Sequence, residues 1–435
     1  MLESVAPLAA AQSRLTENVS LRRNFAWTLA GNILYAACQW CILVAIAKLG
    51  TPTMLGQFAL GLAISAPVFM LTNLQLRAVL ATDVHHEYRL GHYLALRIFG
   101  TAAGFVLIVG FVALAGLRRE TALVVFFVSL AKGAETFSDI IYGYWQKHED
   151  FQKIAVALSG RGIGSLATFA TVLYLTHGIA QSTAAMAFFW TVWLATYERN
   201  AAANVMGGIV PRERLRPEGD KHKWRQLIEL AWPLGVVTLL VSLGANIPRY
   251  FVQHDLGEAA LGYFAAAAYV LAAGNTVMAA MGQSASPRLA RYFHSDRPAY
   301  SRLLKNMVLL GAVLGLAGIA LALLFGRVFL SLLYRPEYAE YTSLFTCLMV
   351  VAAFGNLSSM LGYGMTAARM FRAQVPLSLF AAAIISLACW ILIPRSGLMG
   401  AAYALLMGAV FSCVVGAGLI AAALRSPLSE HHGMS

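Results

Sequence analysis

Apolar runs of about 20 residues recur along the whole chain, and a helix of that length crosses a bilayer core about 30 Å thick. Only 12% of the residues are charged and 59% are hydrophobic, whereas a soluble domain carries about 25% charged residues. The sequence therefore predicts an all-α polytopic membrane protein with about 12 transmembrane helices. The predicted spans lie near 25–47, 56–79, 93–116, 121–146, 152–176, 181–204, 227–251, 259–282, 303–326, 340–366, 373–394 and 398–423.

The distribution of basic residues predicts the orientation of these spans. Lys and Arg number 32 against 20 acidic residues, and most of the basic residues fall in the two tails and in alternate loops. The opposite set of loops holds only Lys48, Arg118, Arg119, Arg249, Arg327, Arg335 and Arg395. Cytoplasmic loops carry the excess of Lys and Arg, so we expect both termini in the cytoplasm. This bias explains much of the positive charge, and a nucleic-acid partner is not expected.

One polar stretch, residues 207–226, divides the chain into nearly equal halves. We predict an N-terminal lobe over 1–206 with spans one to six, a cytoplasmic linker over 207–226, and a C-terminal lobe over 227–435 with spans seven to twelve. An even number of spans per half gives the two lobes the same orientation, as in transporters built from parallel repeats.

Two pairs of similar segments support an internal repeat. LGTPTMLGQFALGLAI at 49–64 parallels LGEAALGYFAAAAYV at 256–270, with Gly56 matched to Gly262 after one gap. GYWQKHEDFQKIAVALS at 143–159 resembles GYGMTAARMFRAQVPLS at 362–378. Transporters with repeats bind their substrate at the interface between them. We therefore expect the substrate site between the lobes.

The fourth predicted span contains three charged residues in an apolar run. Lys132, Glu135, Asp139, Gly143 and Gln146 share one face of a helix, because helical neighbours are spaced three or four residues apart. An uncompensated charge at that depth costs from about 2.5 to more than 10 kcal/mol. One interpretation is that the stripe lines a hydrated cavity. The other is a structural Lys132–Glu135 pair, three residues apart on one helix, that locks the bundle.

Further arginines lie within or near the ends of apolar spans. Arg161 lies in the next span among glycines that would let another helix approach closely, and it either pairs with a carboxylate of the fourth span or binds a ligand. Arg249 follows Pro248 near the outer end of span seven, where the proline would open the helix. Arg77, near the inner end of span two, either snorkels to the interface or faces the cavity.

The sequence contains no pattern that indicates catalysis. It lacks the G-x-S-x-G, P-loop and H-E-x-x-H motifs of common enzyme classes, so an enzyme is not expected. The five cysteines all fall in apolar runs, and we expect neither a disulfide framework nor a metal site from them.

With these residues in view, the chain resembles the bacterial oligosaccharide flippases. They form the polysaccharide transport branch of the multidrug/oligosaccharidyl-lipid/polysaccharide exporter (MOP) superfamily, which includes the O-antigen flippases. Four segments carry the resemblance: SLRRNFAWTLAGNILYAACQW at 20–40, PVFMLTNLQLRAVLATD at 67–83, DIIYGYWQKHEDFQKIAVALSGRG at 139–162, and the segment 246–293, which begins NIPRYFVQ and ends SASPRLARYF.

The resemblance implies two lobes around a central cavity that opens alternately to each side of the membrane. It implies as substrate an oligosaccharide on a polyprenyl diphosphate, moved from the cytoplasmic to the periplasmic leaflet, with a polysaccharide polymerase or other assembly proteins as partners. A diphosphate needs cationic partners, and the basic positions that match such a cavity are Lys132, Arg161, Arg249 and Arg77. Glu135 and Asp139 would pair with these cations or bind a coupling ion, proton or sodium; no other cofactor is expected.

Two other functions are open at this point. A cation-coupled multidrug antiporter of the same superfamily would bind its coupling ion at an acidic residue deep in the N-terminal lobe, and Glu135 or Asp139 fits that position. A membrane polymerase or ligase would need outward-facing catalytic groups on a sizeable loop, and the predicted outer loops are short. The flippase is therefore the favoured interpretation.

Overall fold

The computed structural model describes residues 6–83, 87–148, 150–201 and 217–425, and no strand occurs among them. The predicted all-α fold is confirmed. The first part of the predicted linker, 207–216, lies outside the described residues. The helices before it are α1 (Ala6–Leu49), α2 (Pro52–Thr72), α3 (Leu76–Thr82), α4 (Leu90–Leu114), α5 (Arg119–Lys147), α6 (Phe151–Thr176) and α7 (Ile179–Trp193), which continues as a π-helical turn at Leu194–Glu198.

The helices after the linker begin with a long one. Helix α8 (Lys221–Ser295) contains both predicted spans seven and eight, and it is interrupted at Gly257, whose φ of 84° is non-helical. This break lies in the loop predicted between those spans. The remaining elements are α9 (Arg297–Leu333), a 3-10 turn (Pro336–Tyr341), α10 (Thr342–Ala367), α11 (Phe371–Ser396) and α12 (Leu398–Arg425).

The described residues contain eight helices that are long and apolar enough to cross a membrane. They are Ala26–Leu49, Pro52–Thr72, Leu90–Leu114, Phe151–Thr176, Arg297–Leu333, Pro336–Ala367, Arg372–Ser396 and Leu398–Arg425. The chain is thus a multi-pass membrane protein. The number of twelve spans stays a prediction.

The structure corrects the second predicted span. The continuous helix predicted over 56–79 ends at Thr72, and α3 begins only at Leu76. Between them Leu74 and Gln75 adopt left-handed φ values of 50° and 51°, a conformation that an α-helix of L-residues cannot contain without strain. The break starts a separate short helix, α3, that packs on α5.

The described contacts divide the chain into two compact units. The first comprises residues 1–50 and 64–239, and the second comprises 51–63 and 240–435. In the first unit, α3, α4 and α5 pack with the start of α8 around a buried apolar core. In the second unit, residues of α8, α9, α10, α11 and α12 form a further core rich in methionine and leucine. The division into lobes at 207–226 stays a prediction.

Within the second unit, two glycines of the proposed repeat meet. A Cβ atom on Gly56 would overlap with the carbonyl oxygen of Glu258, and one on Gly262 would overlap with the carbonyl oxygen of Pro52. Glu258 lies four residues before Gly262, and Pro52 lies four residues before Gly56. Each glycine therefore packs against the carbonyl oxygen four residues before the other glycine, and the contact is reciprocal. Beside it, Gln57 Nε2 donates to Glu258 Oε2 at 3.0 Å. A reciprocal contact is what two segments related by a two-fold axis would make, and it supports the internal repeat.

This contact predicts that Gly56→Ala destabilises the protein by about 1–3 kcal/mol, because an added methyl group in a packed interface forces the helices apart. Thermal unfolding of the detergent-solubilised protein measures the effect as a lower midpoint temperature. Gly355→Ala is the matched control, since a Cβ there meets no atom within 4 Å. The control should unfold at the same temperature or slightly higher, because alanine is the better helix former. Equal midpoints for the two variants would contradict the contact.

Candidate functional site

The polar stripe of α5 lies in the first unit and is accessible along one edge. Side-chain exposure is 28% for Lys132, 25% for Glu135 and 33% for Asp139. The stripe does not stand alone, because charged or aromatic side chains of α1, α3, α4, α6 and α7 contact it. The contacts form two groups, one around each carboxylate.

The first group, which we call the Glu135 cluster, consists of Lys132, Glu135 and Arg161. Lys132 Nζ lies 2.6 Å from Glu135 Oε2, one helical turn away on the same helix. Arg161 Nη2, from α6, lies 3.4 Å from Glu135 Oε1. The hydroxyl of Tyr35, from α1, donates a hydrogen bond of 3.0 Å to the same oxygen. Both oxygens of this carboxylate are therefore occupied.

The second group, which we call the Asp139 cluster, consists of Arg77, Asp139 and Arg97. Arg77 Nη1, from α3, lies 3.1 Å from Asp139 Oδ1, and its Nε donates to Gln146 Oε1 at 3.2 Å. Arg97 Nη2, from α4, lies 3.8 Å from Asp139 Oδ2. Gly143 leaves room for Arg77, since a Cβ there would lie 3.2 Å from Arg77 Cγ.

Each cluster holds one accessible cation and one buried arginine. Lys132 and Arg77 are 28% and 34% exposed, whereas Arg161 and Arg97 are 3% and 0% exposed. Nε and Nη1 of Arg161, and all three nitrogens of Arg97, have no hydrogen-bond partner among the described residues. Unpaired donors on a buried charge are costly, so both buried arginines have bonding capacity that this conformation does not use.

Aromatic rings surround the Arg161 guanidinium. Its Cζ lies 5.0 Å from the ring centroid of Tyr35, 5.5 Å from that of Tyr142 and 5.0 Å from that of Trp190. These distances fit cation–π interactions, which strengthen when the cation is desolvated. Arg77 Cζ also lies 5.8 Å from the ring of Tyr142. The Tyr142 ring therefore contacts a cation of each cluster.

The glycines around Arg161 allow α6 to approach its neighbours closely, as predicted. A Cβ on Gly160 would overlap with the ring of Trp193, and one on Gly164 would overlap with the ring of Phe189. On the other side, a Cβ on Gly162 would lie 3.3 Å from the Cα of Tyr35 in α1. The glycines thus bring α1 and α7 against α6.

The structure decides several of the open interpretations of single residues. The Lys132–Glu135 pair is present. Arg161 pairs with Glu135, a carboxylate of the fourth predicted span, which was one of its two interpretations. The guanidinium of Arg77 turns onto α5, where it binds Asp139 and Gln146, and its place at the interface or in the cavity stays a prediction. That Lys132, Glu135, Asp139, Arg161 and Arg77 line a cavity stays a prediction.

Arg249 lies in the second unit, on α8. Its Nη1 donates to Asn246 Oδ1 at 2.6 Å, and its Cζ lies 5.0 Å from the ring of Tyr269. Asn246 is buried and is held in turn by a 2.8 Å hydrogen bond to the carbonyl oxygen of Ser242. Arg249 is thus an oriented, half-buried cation whose predicted contact with substrate stays a prediction.

Two buried charged residues, Arg97 and Glu198, were not predicted from the sequence as site residues. Both side chains are fully buried. Glu198 lies in the π-helical turn, where its Oε1 accepts a 2.7 Å hydrogen bond from the Tyr142 hydroxyl. Its Oε2 has no hydrogen-bond partner among the described residues. Both residues fall in predicted spans, and a charge within such a span is a functional candidate by default; that signal would have identified them.

The described residues offer no cluster of three or more His, Cys, Asp or Glu side chains that could hold a metal ion. The charged groups of the site are two carboxylates, each held between two cations. Such an arrangement favours the binding of a polyanion such as a phosphate ester, because Arg and Lys donate charge-assisted hydrogen bonds to phosphate oxygens.

Comparisons with known proteins identify the family. The chain matches the polysaccharide biosynthesis protein family over residues 21–293. It is 26% identical over 385 residues to the capsular polysaccharide biosynthesis protein CapF of Staphylococcus aureus, covering 87% of this chain and 94% of CapF.

Solved structures show the same fold at low sequence identity. The lipid II flippase MurJ in its inward closed conformation matches with a TM-score of 0.73 at 11% identity, over 91% of this chain and 87% of MurJ. An inward-facing multidrug resistance MATE family transporter of the MOP superfamily matches with a TM-score of 0.70 at 12% identity, over 90% of this chain and 95% of that one. These structural relatives are membrane transporters and a flippase, not enzymes. The resemblance predicted from the sequence is confirmed in fold, and the chain belongs to the polysaccharide biosynthesis protein family.

Proposed function

We propose that this protein is a flippase that moves an oligosaccharide linked to a polyprenyl diphosphate from the cytoplasmic to the periplasmic leaflet of the inner membrane. It does so by alternating access, and the product serves the synthesis of a surface polysaccharide such as an O-antigen. The observation that carries the proposal is the pair of charged clusters on α5, which lie inside an apolar chain of the polysaccharide biosynthesis protein family.

Charge supports a diphosphate as the group that is bound. Each cluster has two cations and one carboxylate, so each carries one surplus positive charge. A glycosylated polyprenyl diphosphate carries one negative charge on each of its two phosphates. The two clusters therefore match the headgroup in charge, and planar guanidinium groups match phosphate oxygens in geometry. Arg249, oriented by Asn246 in the second unit, is proposed as a further substrate-binding cation.

The direction of transport is the one that the resemblance to the oligosaccharide flippases implies, and the predicted topology places both termini in the cytoplasm. A coupling ion, proton or sodium, is part of the proposal. Glu135 and Asp139 each lie between two cations, which disfavours the binding of a further cation there. We favour Glu198 instead, because no basic group of the described chain lies within 4.0 Å of it and one of its oxygens is unpaired. The charged and titratable groups that act on it are Tyr142, Arg161 and Tyr197.

The test is binding of polyprenyl diphosphate, with and without sugars, to the purified protein in lipid nanodiscs. Saturable binding is expected, and Lys132→Ala should weaken it about 10- to 100-fold, since a charge-assisted hydrogen bond contributes about 1.5–3 kcal/mol. Lys153→Ala is the matched control: Lys153 pairs with Asp150 at 2.6 Å and the same three-residue spacing, outside both clusters. That variant should bind as the unaltered protein does.

The same preparation distinguishes the rival antiporter. Binding of a lipophilic cation that competes with protons or sodium, without binding of diphosphate lipids, would reject the flippase and favour a cation-coupled multidrug antiporter. Transport into liposomes with and without imposed proton or sodium gradients tests the coupling ion.

A further inference from the structure

The Glu135 and Asp139 clusters repeat one arrangement. In each, an accessible cation lies close to the carboxylate, at 2.6 Å for Lys132 and 3.1 Å for Arg77. A buried arginine lies farther from the same carboxylate, at 3.4 Å for Arg161 and 3.8 Å for Arg97. In each, the more distant cation also has nitrogens without a hydrogen-bond partner among the described residues: Nε and Nη1 of Arg161, and all three nitrogens of Arg97.

The two kinds of cation differ in what they can reach. Lys132 and Arg77 are about one-third exposed and can meet a ligand that approaches the stripe. Arg161 and Arg97 are buried behind the carboxylates and cannot. If an accessible cation left its carboxylate for a phosphate, the carboxylate would lose its nearest counterion, and an unpaired charge in such a place is costly. The buried arginine, with donors to spare, is placed to replace that counterion.

We infer that each accessible cation exchanges its carboxylate for one phosphate of the substrate diphosphate, while the buried arginine of the same cluster takes over the carboxylate. Lys132 and Arg77 are then the phosphate-binding residues. Arg161 and Arg97 are positioning residues that act through Glu135 and Asp139. This inference rests on the proposed function and assigns the separate roles within its site.

Charge balances at each step of the exchange. Before binding, each cluster holds two positive charges and one negative charge. After binding, the accessible cation and the phosphate form one neutral pair, and the buried arginine and the carboxylate form another. The carboxylate thus keeps a counterion throughout, and it offers the accessible cation a partner to return to when the substrate leaves.

The Asp139 cluster allows a direct test, because Arg97 does not reach the ligand. Arg97→Gln should weaken binding of polyprenyl diphosphate about 10-fold or more, because Arg77 can no longer leave Asp139 without a replacement. Asp139→Asn should strengthen binding several-fold, because Arg77 no longer has a charged partner to give up. In the double variant Arg97→Gln/Asp139→Asn, affinity should return to within about 3-fold of the Asp139→Asn value, since a neutral amide needs no counterion.

A double variant that binds as weakly as Arg97→Gln would overturn the exchange. Thermal unfolding of the same variants separates the exchange from a structural role of Arg97. The exchange predicts weaker binding per folded Arg97→Gln protein, because Arg77 still pairs with Asp139 before the ligand binds, whereas a loss of binding that only follows the loss of folded protein would overturn it. If Arg97→Gln does not fold, Asp139→Asn alone still decides, because weaker binding by that variant contradicts the exchange. Asp150→Asn is the control for removal of a paired carboxylate outside the clusters, and it should leave affinity unchanged. Absence of diphosphate binding by the unaltered protein would overturn the proposed function as well, whereas binding without rescue would overturn the exchange alone.

Discussion

The double variant Lys132→Gln/Arg77→Gln is expected to lower the rate of transport of a lipid-linked oligosaccharide by about 100- to 10,000-fold at subsaturating substrate. Each accessible cation would contribute about 1.5–3 kcal/mol to binding of the headgroup through a charge-assisted hydrogen bond. Lys132 and Arg77 contact different carboxylates and share none of their hydrogen-bond partners. Their losses should therefore add, and each single variant should lose roughly the square root of the total.

The assay is transport in proteoliposomes, read as the fraction of lipid-linked oligosaccharide that becomes accessible to a glycan-cleaving enzyme on the far side. The matched control is Lys153→Gln/Arg225→Gln. Those two cations form similar ion pairs with Asp150 at 2.6 Å and Glu229 at 2.8 Å, away from the clusters. If the Lys132/Arg77 double variant transports no more slowly than the slower of the two single variants, the two cations bind one group together and not one phosphate each.

Local geometry explains why the sequence predicts the stripe of α5. Lys132, Glu135 and Asp139 share a face because helical spacing places them there, and the Lys132–Glu135 pair needs nothing beyond one turn of helix. Arg161 could be matched with Glu135 or Asp139 because consecutive membrane helices joined by a short loop are neighbours. Each of these contacts depends on chain segments that are close in sequence.

The contacts that the sequence did not predict depend on tertiary packing. Arg77 reaches Asp139 because the helix breaks at Leu74 and Gln75, and no glycine or proline in that turn marks the break. Arg97 contacts Asp139 only because α4 packs beside α5, so a hydropathy profile assigns it no partner. Glu198 is buried in a π-helical turn, a local distortion often found at functional sites that residue spacing does not encode.

The internal repeat also has one part that the sequence predicts and one part that depends on tertiary packing. The similarity of 49–64 and 256–270 was visible in the sequence, and it matched Gly56 with Gly262. It could not show that these two glycines touch, which depends on how the two helices cross. The value of the sequence match is that it explains why the contact is reciprocal.

Arg161→Met is expected to destabilise the protein by about 3 kcal/mol. The substitution removes a buried partner of Glu135, and breaking a buried ion pair costs about 3–5 kcal/mol. Lys132 remains within 2.6 Å of Glu135, which keeps the cost near the lower end. Thermal unfolding in detergent measures it, with Arg225→Met, at an exposed arginine, as the control.

Arg161→Lys should lose much of the same stability, because an ammonium group cannot reproduce the planar contact of a guanidinium with the rings of Tyr35, Tyr142 and Trp190. The double variant Arg161→Met/Glu135→Gln should recover more than half of the loss, since replacing a buried pair by neutral groups is often neutral or stabilising. Unfolding of the double variant at the same temperature as Arg161→Met would contradict this account. Recovery of stability without recovery of transport would mean that the fold does not need this pair of charges, and that their place in the apolar interior is explained by the passage of a charged substrate.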